Sequence, residues 1–93
     1  MSETLNELFA TIKARKENPP PNSYTAKLFA AGAVEIAKKV GEEAIEVIVA
    51  SYKESDERLA SESADLIYHL LVLLAARQVE WGAVEQELAK RKR

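Results

Sequence analysis

Apolar positions recur at helical spacing along almost the whole chain. Leu5, Leu8, Phe9 and Ile12 open the series, with Glu3 and Glu7 in the early turns and Lys13, Arg15 and Lys16 behind them. That charge order suits the dipole of one helix, for which Ser2 is a candidate cap. Asn18-Pro19-Pro20-Pro21-Asn22 then interrupts the pattern, because proline cannot continue a helix and stiffens the segment toward an extended form. A short helix is predicted from Tyr24 to about Ala31, capped by Ser23 or Asn22 and ended or bent at Gly32. Val34 to about Tyr52 reads as one long helix. On its wheel Ala37, Val40, Ala44, Val47 and Ile48 form an apolar arc, opposite a stripe of Glu35, Lys38, Lys39, Glu42, Glu43 and Glu46. Gly41 weakens this helix by about 1 kcal/mol relative to Ala and leaves room for another backbone or a ligand. After a polar turn at Lys53-Glu54-Ser55-Asp56, with Ser55 or Asp56 as cap, a helix is predicted from about Glu57 to Gln78. It is apolar nearly all round from Ala64 onward, as befits a helix buried on most sides. Trp81 to Lys90 makes a last short helix, running into a basic tail that ends at Arg93. With no strand-like alternation and no internal repeat, the expected fold is an all-α bundle of four to five helices, residues 1–93 forming one domain.

Composition narrows the function. Ninety-three residues bury only about 60% of the unfolded surface. The absence of cysteine excludes disulfides and thiolate sites. A net charge of −2 gives no general attraction to nucleic acid or to an anionic membrane, and the basic tail is too short to claim nucleic-acid binding. The longest uncharged run, Leu66 to Ala76, is 11 residues, against the roughly 20 of a membrane span. The start of the chain lacks a basic-then-apolar leader pattern. A soluble cytoplasmic protein is expected. Because the fourth helix is apolar on more sides than four helices can cover, part of Leu66–Leu74 is expected to bury against a second protomer, most simply in a two-fold homodimer.

Charge placed where charge is costly carries the chemistry. Glu43 and Glu46, three apart, share a helical face, as do Glu42 and Glu46, four apart. Glu62 and Asp65 repeat the spacing, with His69 four residues on, among Leu59, Leu66, Ile67, Leu70, Val72 and Leu73. An ionised carboxylate there costs several kcal/mol unless cations or donors compensate it. Two such pairs on antiparallel helices can converge, and a divalent cation would relieve their repulsion. All-oxygen ligands suit Mg²⁺ or Mn²⁺ rather than zinc. A solvated helix face explains Glu42 and Glu43 as simply. Glu62 and Asp65 weigh more, because they run straight into the uncharged stretch. A di-iron bundle would want Glu-x-x-His on two helices, and the chain has one histidine. His69 itself reads as a partner of Asp65, a ligand, a proton carrier, or a core histidine with its hydrogen bonds satisfied.

Three segments together bear a resemblance. Ser23-Tyr24-Thr25-Ala26-Lys27-Leu28, then Lys38-Lys39-Val40-Gly41-Glu42-Glu43-Ala44-Ile45-Glu46-Val47, then Glu62 to Leu74 closely resemble the phosphoribosyl-ATP pyrophosphatase family of histidine biosynthesis. That family lies within the all-α, MazG-like nucleotide pyrophosphohydrolases. The likeness runs from about Leu5 to Trp81 and is to the stand-alone form, not the form fused to the following cyclohydrolase. The superfamily pattern Glu-Glu-x-x-Glu, a gap, then Glu-x-x-Asp stands here as Glu42-Glu43-Ala44-Ile45-Glu46 and Glu62-Ser63-Ala64-Asp65. Two departures are small. Asn22 stands where Gly is often seen, and Asn tolerates turn conformations; Ser63 replaces a similarly small Ala.

The resemblance implies hydrolysis of phosphoribosyl-ATP to phosphoribosyl-AMP and pyrophosphate, in a MazG-like homodimer; the site is expected near the dimer interface. It implies Mg²⁺, with Mn²⁺ as the alternative, held by Glu42, Glu43, Glu46, Glu62 and Asp65. Glu46, Glu62 and Asp65 are the leading ligands, with Glu43 or Glu46 as the proton acceptor. Ser23, Tyr24, Thr25 and Lys27 would meet the nucleotide substrate, as would Lys38, Lys39 and Arg15. Capping by Ser23, surface placement of Lys27 and i,i+4 pairing of the lysines with Glu42 and Glu43 are the plainer readings of the same residues, and a charged helix end explains Arg15 and Lys16. Tyr68 reads as a core residue. Two other functions fit the residues: a general nucleoside triphosphate pyrophosphatase, and a helical interaction module without catalysis.

Overall fold

A computed structural model describes residues 3–92. Five helices follow one another: α1 (Glu3–Glu17), α2 (Tyr24–Ala31), α3 (Ala33–Lys53), α4 (Asp56–Ala76) and α5 (Trp81–Lys90), with no strand among the described residues. The proposed cap at Ser2 lies outside them. Of the two candidate caps for α2, Ser23 takes the position, its Oγ accepting the Ala26 amide at 3.1 Å. Asn22 stands just before it at φ 64°, a left-handed conformation that asparagine tolerates. Gly32 both ends α2 and starts α3, at φ 99° and ψ 166°, a region that only glycine occupies readily. Ser55, rather than Asp56, caps α4, accepting the Arg58 amide at 3.2 Å.

Helix α4 stops at Ala76, two residues short of the expected Gln78. The Gln78 amide donates to the Ala75 carbonyl at 3.1 Å and the Val79 amide to the Leu74 carbonyl at 2.8 Å. This is the paired closure of a Schellman turn. It places Gln78 at φ 60°, a position glycine usually fills, which is why composition did not betray the stop.

A two-residue connection forces α3 and α4 into an antiparallel pair, the most extensive packing in the molecule, and α1 and α2 lie against α4. Ile12, Ile36, Leu71 and Val72 are fully enclosed. Helix α5 meets the core through Trp81, and Lys13 pairs with Glu80 just ahead of it at 3.0 Å. Helix α4 is long and apolar enough to cross a bilayer by length and composition alone. Its first half, however, carries Asp56, Glu57, Arg58, Glu62 and Asp65, and three helices pack on it.

Two expectations about packing are corrected. The covered positions of α3 are Ala33, Ile36, Lys39, Val40, Glu43, Ala44, Val47 and Ala50, recurring every three or four residues, whereas Ala37 and Ile48 of the expected arc are exposed. The helix has two apolar stripes, and the bundle uses one. The other leaves Val34, Ile45, Ile48, Val49 and Tyr52 in solvent. The excess apolar surface therefore sits on α3. Within Leu66–Leu74 only Ile67 is exposed.

Candidate active site

Glu43 lies eleven residues before Glu54, and Asp65 ten residues after Ser55. An antiparallel hairpin turning at 54–55 sets them at nearly the same height. Glu43 occupies the covered seam of α3, and Glu62 and Asp65 the facing side of α4. One carboxylate oxygen from each of the three lies within 4.8 Å of the others. Glu62 is 8% exposed, Glu43 half-buried and Asp65 open to solvent. The donors are all hard oxygens and one is buried, so the set fits Mg²⁺ or Mn²⁺.

Glu42 and Glu46 stand outside this group of three; both are exposed. Glu42 instead shares Lys39 with Glu43, each at 3.6 Å. The two lysines thus separate. Lys39 is half-buried beside the acidic group, whereas Lys38 is exposed and makes no ion pair among the described residues. The Tyr24 oxygen first, then Glu43 and Glu42, hold the Lys39 ammonium above the usual lysine range.

Sequence reasoning passed over Arg58. Its guanidinium grips the Glu62 carboxylate and also donates from Nε to Glu54 at 3.2 Å. The Glu54 hydrogen bond, followed by the charge of Glu62, keeps it more firmly protonated than a free guanidinium, and Glu46 adds to the effect. The i,i+4 spacings Glu54–Arg58–Glu62 were the available signal.

The start of α2 is fastened to α4 beside these acids. His69 is 5% exposed; its Nδ1 lies 2.7 Å from the Asp65 carbonyl and its Nε2 2.8 Å from the Tyr24 hydroxyl. A carbonyl can only accept, so Nδ1 carries the proton in the neutral ring and Nε2 accepts from Tyr24. His69 is thus the structural partner of Asp65, through the backbone. One residue along, the Thr25 hydroxyl bonds the Tyr68 hydroxyl, and the Tyr24 and Tyr68 rings stack at 6.3 Å. Thr25 is 4% exposed, and its hydroxyl bond to Tyr68 ties the start of α2 to α4. Tyr24 remains half in solvent, and desolvation lifts its hydroxyl above the ordinary phenol range, with Lys39 opposing. Lys27 is exposed. Arg15 lines a separate cavity of about 410 Å³ with Lys16, Pro19, Ala26, Phe29 and Ala76, a cavity whose lining includes none of the three acids.

A family model described as phosphoribosyl-ATP pyrophosphohydrolase matches residues 5–92. The chain belongs to that family. Similar to it is a phosphoribosyl-ATP pyrophosphatase of Lactiplantibacillus plantarum, 51% identical over 96% of this chain and 84% of the relative. Another from Metallosphaera sedula is 50% identical over 98% of both. A histidine biosynthesis bifunctional protein of Nostoc is 46% identical over 98% of this chain, which spans 42% of that longer relative. For a member of this phosphohydrolase family, three acids meeting between α3 and α4 are chemically apt.

Proposed function

We propose that this protein hydrolyses phosphoribosyl-ATP to phosphoribosyl-AMP and pyrophosphate in histidine biosynthesis, in the cytoplasm. The observation that carries the reading is the convergence of Glu43, Glu62 and Asp65 in a chain whose family is defined by that reaction.

A triphosphate brings about four negative charges to a site that is itself acidic, so a cation must stand between them. Glu43, Glu62 and Asp65 would hold Mg²⁺ or Mn²⁺, which when bound neutralises charge and lowers the pKa of a bound water. Of the two candidate bases, Glu46 is outside the convergent group and is the one left free to take the proton of the attacking water. The water oxygen bonds to phosphorus, the bridging oxygen between the α and β phosphates departs with pyrophosphate, and the proton passes to the carboxylate. Lys39, paired with Glu43 at the acidic group, would meet the negative charge on the leaving group. His69 and Tyr68, through Tyr24 and Thr25, keep the start of α2 beside the acids.

Two copies are proposed to pair through the exposed stripe of α3, Val34, Ile45, Ile48 and Tyr52. Gly41 lies on the same stripe; a Cβ built there meets nothing within 4 Å.

Pyrophosphate release by the purified protein, with and without Mg²⁺, tests the reading. Release is expected from phosphoribosyl-ATP and only with the cation. Equal rates on plain nucleoside triphosphates would favour the general pyrophosphatase, and no release from any nucleotide would favour the interaction module.

A further inference from the structure

Glu62 is nearly enclosed, while the arginine that grips it is more than half exposed, 55% by side chain. The buried acid is therefore neutralised from the water side by a cation that can leave. Arg58 also has somewhere to go, because Glu54 in the turn already binds its Nε at 3.2 Å. Letting go of Glu62 would leave Arg58 paired and solvated, so the departure costs little. Charge points the same way. Three carboxylates beside Lys39 and Arg58 carry a net −1; a divalent cation added to both would leave +1, whereas with Arg58 moved to Glu54 the group balances at zero.

We propose that Arg58 is a built-in counter-ion of the acidic group, occupying Glu62 until a divalent cation takes its place and then resting on Glu54. This rests on the metal-binding reading above. In the cation-free protein it quenches the repulsion of the buried acid. During cation binding it is a competitor, and it sets how tightly the site holds the ion. It is a positioning residue, since it acts through Glu62.

Titration of the whole protein with Mn²⁺, followed by the electron paramagnetic resonance of the free ion, tests this. Arg58→Gln should bind Mn²⁺ more tightly, by about fivefold, the upper range for an exposed ion pair. Without metal it should melt at a lower temperature, and it should gain more from saturating Mn²⁺ than the parent does. Arg58→Lys, which keeps the charge but not the fork, should fall between; it also serves if the glutamine variant folds poorly. Glu54→Gln removes the resting place and should weaken Mn²⁺ binding. Parent-like or weaker binding by Arg58→Gln, with the parent itself binding Mn²⁺, overturns the proposal and leaves the metal reading intact. A parent that binds no Mn²⁺, or binds it undiminished after Glu62→Gln and Asp65→Asn, overturns both.

Discussion

Individual side chains divide the labour of the acidic group, and each division is measurable. Glu62→Gln and Asp65→Asn should abolish Mg²⁺-dependent thermal stabilisation and lower kcat by at least about a hundredfold. Glu46→Gln should lower kcat while leaving Mn²⁺ binding near the parent value. A Glu46 variant that lost the ion instead would make Glu46 a ligand. Tyr24 and Lys39 hold their protons more firmly in the folded chain than in the unfolded one. Their contribution is therefore complete below pH 10 and lost as pH rises through the folded values. Urea midpoints should fall above pH 10, and Tyr24→Phe should flatten that fall. Much of this scale was legible beforehand. Glu62-x-x-Asp65 running into an apolar stretch announced a buried acid, and the i,i+4 pairing of Lys39 with Glu43 followed from helical spacing, whereas Glu42 pairs with Lys39 and not with Lys38 four residues before it. Which carboxylates would meet was not legible, because Glu43 and Glu46 stand at the heights of Asp65 and Glu62 across the hairpin, and only the rotation of α3 about its axis decides which of them turns inward.

The ends of the helices show where a local code was complete and where it was not. Serine caps at Ser23 and Ser55 and the glycine at Gly32 stood in the right places to be read. Gly32→Ala should destabilise the protein by about 1–3 kcal/mol. The added Cβ meets nothing within 4 Å, so the loss is one of backbone conformation, seen as a Tm lower by about 4–8 °C per kcal/mol. The end of α4 was misplaced because a glutamine does a glycine's task. Gln78→Gly should stabilise by about 1 kcal/mol, checked by urea denaturation. A neutral or destabilising outcome would mean that the Gln78 side chain contributes something its hydrogen bonds do not reveal.

Over the whole molecule, the decisive feature is that α3 carries two apolar stripes and the single chain covers one. Val34 and Tyr52 are 82% and 83% exposed and share a face with Ile45 and Ile48, a contiguous apolar patch of the kind that marks an interaction surface. On the proposed pairing through this stripe, Ile48→Glu should shift sedimentation from dimer to monomer with little effect on the monomer's own packing. An unchanged sedimentation coefficient would place the interface elsewhere.

Periodicity, caps and the proline segment determined by themselves that this chain is all-helical, four to five helices in a fixed order, because each rests on interactions within a few residues; the structure makes them five. The spacing of the acids determined that charge would be forced onto largely apolar helices. Only tertiary structure decided which stripe of α3 turns toward α4. That choice depends on contacts of α3 with α2 and α4 together, which no local window contains. It brings Glu43 to Glu62 and Asp65, leaves Glu46 aside, and gives Arg58 a buried acid to hold.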